Sequence, residues 1–153
     1  MAIDRIYFKE KNFVLTLIYD KLTDIELINH VHAMNTEYEG IYGIKELADC
    51  RYLYDISELT ARDMLTTADA EKESTRVILG KGAIVAETDG IFGLASMYAA
   101  IASNIREDSK VFRSLDEAID FLELGEFKSK LIEQLSESAY EERFSSLNKS
   151  ILK

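Results

Sequence analysis

Two short polar stretches hold the side chains whose types and spacing could do chemistry. Asp55 and Ser57 end the string YLYDIS, and Thr88 and Asp89 end the string VAETD. Both stretches follow apolar runs that predict β-strands, and ligands of parallel sheets tend to bind beyond the carboxyl ends of the strands. If the strands are neighbours, these groups could together bind a hard cation or act as an acid and a base. The favoured interpretation is that Asp55 and Asp89 cap helices or accept hydrogen bonds from loop N–H groups.

The turn after the second stretch contains two glycines, Gly90 and Gly93, and leads into an alanine-rich helical pattern. Their spacing matches neither the dinucleotide-binding fingerprint nor a P-loop with its lysine. Glu87 and Asp89 stand in front of the helix, where they would repel a phosphate. We predict a packing turn, in which Gly90 takes a positive φ and Gly93 lets the helix approach the sheet closely.

The sequence therefore offers ligand-binding candidates, while it assigns no catalytic residue, no metal ligand and no cofactor. Phe92 and several tyrosines provide aromatic surface that could line an apolar pocket. The ligand-binding candidates are Asp55, Ser57, Thr88, Asp89, Gly90, Phe92 and Gly93.

The histidines and the cysteine point to no metal site. His30 and His32 are two residues apart, so on one helix they point about 200° away from each other. We predict that both are ordinary histidines of a helix surface. The single Cys50 excludes an internal disulfide and a cysteine metal site, and it is predicted to be a small core residue.

Charge and hydropathy exclude further classes. The 18 basic and 28 acidic residues give a net charge of −10, which disfavours binding to nucleic acid or anionic lipid. No apolar run approaches the roughly 20 residues that span a bilayer. We expect a cytoplasmic protein without integral membrane association.

Apolar periodicity predicts five strands and four helices before residue 125. Thr23 offers an N-cap to the first helix, and Ser114 with Glu117 forms a capping box for the last. The predicted order is β-β-α-β-α-β-α-β-α, which indicates an α/β fold with a mixed sheet whose later strands are parallel. The strands are predicted at residues 3–8, 12–19, 50–56, 83–87 and 109–113. The first helix has Ile25, Ile28, Val31 and Met34 on one apolar stripe, whereas the second, with Met64, Leu65 and Ala68 as its apolar positions, is predicted to be exposed.

Residues 125–153 form a polar, helix-favouring tail after a domain at residues 1–124. Apolar residues recur in it at steps of three or four, which predicts one or two amphipathic helices. These helices pack on their own domain or form a subunit contact. The interface candidates are Phe127, Leu131, Leu135, Phe144, Leu147 and Ile151.

Three strings in this order, YLYDISEL, VAETDGIFGLASMY and KVFRSLDEAIDFLEL, resemble the SpoIIAA-like proteins of the STAS/Sec14 group. These are small bacterial domains, related in fold to anti-sigma-factor antagonists and to one class of lipid-transfer modules. The resemblance covers residues 3–124. It implies a mixed sheet covered by helices, no known catalytic machinery, and frequent self-association.

The resemblance departs from the family at the phosphorylation switch. Anti-sigma-factor antagonists have an Asp-x-Ser step followed, eight residues after the aspartate, by Asp-Ser-Ser-Gly. Asp55-Ile-Ser57 and Asp63 match this pattern, but Met64-Leu-Thr66 replaces Ser-Ser-Gly. The switch cannot be carried over, and Thr60, Thr66 or Thr67 could replace the serine only in a rearranged loop.

Three classes of function follow. The leading one is a non-enzymatic regulatory domain that self-associates, as a dimer, and binds a protein partner; a variant of it is an antagonist-like regulator without the phosphoserine motif. The second is a carrier of a small apolar or amphipathic ligand, by analogy with the Sec14 relatives, although the chain is short for enclosing a whole lipid. The third, least favoured, is an enzyme that uses Asp55 and Asp89.

Overall fold

A five-stranded mixed sheet forms the centre of the fold. The computed structural model describes residues 2–78, 80–102 and 108–152, with the backbone alone at 102 and 147–152. The sheet follows the chain order β1-β2-β3-β4-β5; β1 and β2 are antiparallel, and the other three pairs are parallel. The predicted α/β class is confirmed. The strands are β1 (Ile3–Phe8), β2 (Phe13–Lys21), β3 (Lys45–Asp55), β4 (Lys81–Val85) and β5 (Asp108–Phe112).

The helices fall into two groups along the chain. Three of them connect the parallel strands: α1 (Asp24–Glu37), α2 (Ala61–Glu71) and α3 (Asp89–Ala102). The other three follow β5: α4 (Leu115–Phe121), α5 (Lys128–Gln134) and α6 (Glu137–Leu152). Because β2 to β5 follow each other in order, right-handed crossovers place α1, α2 and α3 on the same face of the sheet.

The second group covers the opposite face. Its apolar side chains pack against the sheet residues that point away from α1–α3, and together they form the largest core cluster. Within this cluster Phe144 stacks on Tyr19 and Tyr140, with ring centroids 5.1 and 5.9 Å apart, and the rings of Tyr19 and Tyr140 are tilted at 6.1 Å. The members contributed by the tail are Leu131, Leu135, Tyr140 and Phe144, with Phe127 packed at the edge.

The tail therefore folds onto its own sheet. Leu131, Leu135 and Phe144 are buried in this core, so the sequence prediction that they form a subunit interface is not supported by their positions. Phe127 is half-buried against Phe8. Leu147 and Ile151 belong to α6, but their side chains lie outside the described part of the chain.

A buried carboxylate joins the tail to the central strand. Asp49 is fully buried and accepts hydrogen bonds from Arg51 Nε (2.9 Å), Arg51 Nη2 (3.0 Å) and the Tyr140 hydroxyl (2.7 Å). Arg51 Nη2 also donates to the carbonyl oxygen of Leu135 (2.7 Å). A buried charge is tolerated only when it is paired and hydrogen-bonded, so β3 and α6 have to dock together.

The sequence predicted the start of α1 correctly, but it was less accurate about which helix faces are buried. The Thr23 hydroxyl accepts from Glu26 N–H (3.3 Å) and Glu26 Oε2 accepts from Thr23 N–H (3.2 Å), which confirms the predicted cap. In α2, which was predicted to be exposed, Leu65 is 47% exposed but Met64 and Ala68 are buried. Ile25 was placed on the apolar stripe of α1, but it is 63% exposed. The prediction was wrong because the buried stripe of α1 runs through Leu27, Val31 and Met34.

Gly80 should be intolerant of any side chain. A Cβ at this position would lie 2.5 Å from the carbonyl oxygen of Ile44 and 3.1 Å from that of Arg76, both backbone atoms. We expect Gly80→Ala to lower the free energy of unfolding by about 1–3 kcal/mol, measured by urea denaturation. The control is Gly93→Ala, where a Cβ meets no atom within 4 Å in an exposed helical position. It should stabilise by up to about 1 kcal/mol, and equal effects of the two changes would contradict the packing argument.

Tyr140→Phe tests the connection between the tail and the sheet. The change removes the hydroxyl that donates to Asp49 and keeps the ring, so the buried carboxylate loses one of its donors. We expect a loss of about 1.5–3 kcal/mol in the free energy of unfolding, measured by urea denaturation. Tyr54→Phe, at a ring that is 65% exposed, should change it by less than about 0.5 kcal/mol. A Tyr140→Phe protein as stable as the wild type would show that Asp49 does not need this donor.

Candidate functional site

Asp55 and Ser57 form a local turn where β3 ends. Asp55 Oδ1 accepts hydrogen bonds from the Ser57 hydroxyl (2.6 Å) and the Ser57 N–H (3.0 Å). These bonds hold the pKa of Asp55 below its usual value. The carboxylate is thus engaged by its own loop.

The turn between β4 and α3 holds the other polar candidates. Asp89 Oδ1 pairs with Arg113 Nη2 (2.8 Å), and Arg113 Nη1 donates to the carbonyl oxygen of Glu87 (3.0 Å). The Arg113 guanidinium also lies 4.4 Å from the ring centroid of Phe92. The carbonyl oxygen of Thr88 accepts the N–H of Phe92 (2.8 Å), as the first bond of the helix.

The two acidic stretches do not end at one level of the sheet. Asp49 is the β3 residue that pairs with Val85, the last residue of β4, and β3 continues for six more residues to Asp55. At this end Asp55 lies opposite Lys21 of β2. Asp55 and Asp89 consequently have separate partners, Ser57 and Arg113.

Gly90 and Gly93 differ from the prediction. Both are exposed residues of α3, neither has a positive φ, and a Cβ on either would meet no atom within 4 Å. The predicted positive φ at Gly90 and close approach at Gly93 are wrong, because the helix begins at Asp89 and turns both glycines to solvent. Ala95 and Ala99 form the buried face of α3.

A cavity lies between the sheet and helices α1, α2 and α3. Its volume is about 110 Å³, and its walls are mainly aliphatic, with Ile18, Leu27, Met34, Leu53, Met64 and Leu94 among them. Its floor includes Ala48 of the central strand, which pairs with Thr16 on one side and Ile84 on the other. Ala48 is only half-buried although it lies in the middle of the sheet. The cavity therefore reaches down to the centre of the sheet.

One wall of this cavity is a network of buried charged and polar groups. Arg76 is 2% exposed, and its Nη1 donates to Glu46 Oε2 (3.2 Å) and Glu71 Oε1 (3.4 Å). The Tyr98 hydroxyl donates to Glu71 Oε2 (2.5 Å), and the Thr16 hydroxyl donates to Glu46 Oε1 (3.3 Å). We call these five residues the charged wall. All five line the cavity.

Two buried nitrogens of this region have no hydrogen-bond partner among the described residues: Arg76 Nε and His30 Nε2. Burial lowers the pKa of His30 to about 4; the carboxylates of Glu46 and Glu71 oppose this shift, while Arg5 and Arg76 add to it. The prediction that His30 is a surface histidine is wrong, because the stripe that faces the sheet includes it. His32 is exposed, as predicted.

Sequence reasoning missed the charged wall because its members come from five different elements. Glu46 lies on β3, Glu71 on α2 and Tyr98 on α3, while Arg76 belongs to a short 3₁₀ turn, Thr75–Val77. No spacing in the sequence joins them. The burial of the neighbouring His30 could have been predicted, because His30 lies on the inner side of the helical stripe formed by Leu27, Val31 and Met34.

The region that would hold the phosphorylation switch is the start of α2. The Thr60 hydroxyl accepts from Asp63 N–H (3.1 Å) and donates to Asp24 Oδ2 (3.0 Å), so it caps the helix. Thr67 is buried, and the exposed Thr66 hydroxyl donates to the carbonyl oxygen of Arg62 (3.2 Å). Met64, where a serine would stand, is buried and lines the cavity.

Cys50 lines the cavity, but burial raises the pKa of this thiol to about 12, so the sulfur stays protonated and is a poor nucleophile. Within residues 2–78, 80–102 and 108–152, no three His, Cys, Asp or Glu side chains gather into a metal site. In the same part of the chain, none of the helices has the length and hydropathy needed to cross a membrane.

The stability of the protein should depend on pH through His30. The imidazole has a pKa of about 4 in the folded state and about 6.5 in the unfolded chain. Between these values the unfolded state binds more protons, so stability falls as the pH falls from 6.5 towards 4. We expect the wild type to lose about 3 kcal/mol over this range relative to His30→Leu, in urea unfolding at several pH values.

The control for this prediction is His32→Leu, the same change at an exposed position of the same helix. This variant shows how much the free energy of unfolding changes when an exposed imidazole is replaced by leucine. Parallel pH profiles for the wild type and His30→Leu would show that the buried imidazole does not titrate with unfolding.

No family model and no curated protein matches the chain. Among solved structures it is similar to an uncharacterized protein of the DUF3478 family with a SpoIIAA-like fold from Shewanella loihica PV-4. The two chains are 19% identical over 79% of this chain and 92% of that one, with a TM-score of 0.52. A likeness at this identity concerns the fold alone. The chain is a domain with a SpoIIAA-like fold.

Proposed function

We propose that this protein is a non-enzymatic regulatory domain that binds one small, mostly apolar molecule between its sheet and helices α1–α3. The observation that carries the proposal is the cavity over Ala48, which reaches the central strand of the sheet. It is partly open to solvent and has mainly apolar walls with a few polar groups. Concave sites of this character are the usual binding sites of small molecules.

The volume limits what can bind. Apolar cavities of roughly 150 Å³ accept a molecule of the size of benzene, and this cavity measures about 110 Å³. This space is smaller than a lipid with long acyl chains. Of the carrier functions that the sequence suggests, the small-ligand form is therefore favoured over transport of a whole lipid.

The position of the cavity supports a regulatory role. A molecule inside it would touch the sheet and all three crossover helices, because each of these elements contributes side chains to the walls. A ligand that binds only the folded state stabilises that state by mass action. Occupancy would thus fix the helix layer on the sheet, and a protein partner could respond to that change.

We further propose that the protein self-associates and binds a protein partner. Self-association as a dimer, a protein partner, a cytoplasmic location and the absence of catalysis come from the resemblance and the composition. The tail supports the dimer less than the sequence suggested, since three of its candidate residues are used in the core of their own chain.

The test is a titration of the full-length protein with benzene, followed by thermal unfolding. At a concentration one hundred times its Kd, benzene should stabilise the wild type by about 2.7 kcal/mol. Ala48→Leu should fold, because its added carbons enter the cavity, and it should lose this stabilisation. Ala33→Leu, the same change on the exposed face of α1, should keep it. Equal stabilisation of the two variants would show that the cavity is not the binding site.

A further inference from the structure

Three tyrosines, Tyr19, Tyr52 and Tyr54, lie where β2 and β3 end, beside helix α6. We infer that this tyrosine surface binds an arginine-rich segment of a protein partner, whose guanidinium groups stack on the rings and pair with the acidic side chains around them. The inference rests on the proposed binding of a protein partner, and it adds the surface and the chemical class of that partner.

The first argument is the position of the three rings. Tyr19 and Tyr52 are paired residues of neighbouring strands, and both pack at the edge of the core on the face of the sheet that the tail covers. Tyr54 follows two residues after Tyr52, and its ring is 65% exposed. Burial raises the pKa of the Tyr19 and Tyr52 hydroxyls, and Tyr54 adds to both shifts, so the three hydroxyls lie near one another. Tyrosine surface of this kind is enriched in protein interfaces.

The second argument is the negative charge around these rings. Glu137 and Glu141 lie one turn apart on α6, on either side of Tyr140, whose ring packs on the tyrosine surface. Besides burial, the carboxylates of Glu141 and Asp20 raise the pKa of the Tyr19 hydroxyl, so they lie close to it. The three acidic side chains are exposed, and among the described residues none of them forms an ion pair. A basic partner would supply the opposite charge.

The basic side chains close to this surface have acidic partners of their own. The Arg51 guanidinium lies 5.1 Å from the ring centroid of Tyr52, and it is bonded to the carboxylate of Asp49. Further basic side chains at this end of the domain are paired in the same way: Lys21 with Glu58 and Arg143 with Asp4. The contact between Arg51 and Tyr52 also shows why arginine suits the surface, because a guanidinium can stack on an aromatic ring while it pairs with a carboxylate.

The tyrosine surface is separate from the cavity. Tyr19 and Tyr52 pack on the core under the tail, whereas the cavity lies between the other face of the sheet and helices α1–α3. The two sites share the strands β2 and β3, since Ile18 and Cys50 line the cavity from the opposite face. Binding of a partner and binding of a small molecule can therefore be measured independently.

The experiment titrates the peptide Arg-Gly-Arg-Gly-Arg into the isotope-labelled full-length protein and follows the backbone amides by NMR. We expect the largest shifts at the ends of β2 and β3 and at the start of α6. A peptide with citrulline in place of each arginine keeps the shape without the charge, and it should bind about tenfold more weakly. Equal affinity of the two peptides would overturn the inference about charge.

Tyr54→Ala tests the aromatic contact. The exposed ring can be removed without loss of the fold, and the arginine peptide should then bind about two- to fivefold more weakly. The matched control is Tyr42→Ala, at a tyrosine that is 55% exposed in the loop before β3. It should leave the affinity unchanged, and equal affinities of the two variants would overturn the assignment of the surface.

Glu141→Gln tests the acidic part of the surface. It should weaken binding of the arginine peptide about twofold, while Glu142→Gln, the same loss of charge at the next exposed residue of α6, should have no effect. If the peptide does not bind, or if it shifts amides elsewhere, the inference is wrong. The proposed ligand function is tested separately by benzene, which binds on the other face of the sheet, so the failure of either proposal can be told from the failure of the other.

Discussion

The handedness of the β-α-β crossovers is the constraint on which the rest of the structure depends. Strands β2 to β5 follow one another in the sheet in chain order, so right-handed connections put α1, α2 and α3 on one face. The other face, with Phe13, Leu15 and Leu47, would then be left in water. The helices after β5 cover it, and this is why a tail of polar composition holds buried leucines and aromatic rings. The tail is part of the core because the topology leaves a face for it.

The two faces of the sheet have different properties as a result. On the tail face, aromatic rings stack closely and the buried Asp49 is bonded to Arg51 and Tyr140. On the crossover face, the side chains of three separate helices leave a cavity whose wall contains Arg76 and Glu46. The tail face is closely packed, whereas the crossover face contains the cavity in which we propose that a small molecule binds.

The sequence predicted those features that depend on neighbouring residues. The bounds of β1, the cap at Thr23 and the order of elements follow from local patterns, and each is found in the structure. The first half of β3 was missed, because Glu46 and Asp49 interrupt its apolar pattern. Glu46 pairs with Arg76, 30 residues away, while Asp49 pairs with the nearby Arg51 and accepts a hydrogen bond from Tyr140, 91 residues away. A charge inside a strand looks unfavourable in sequence until its partners are known, and for Glu46 this information is tertiary.

The same reasoning explains why the predicted and the observed sites differ. Polar side chains at strand ends find partners within a few residues, as Asp55 does with Ser57, and such short-range bonds leave little capacity for a ligand. Arg76 is held instead by groups fixed on β3 and α2, whose positions were set by the fold. The proposed binding site therefore lies between the sheet and the crossover helices, beside a side chain that the sequence alone would place on the surface.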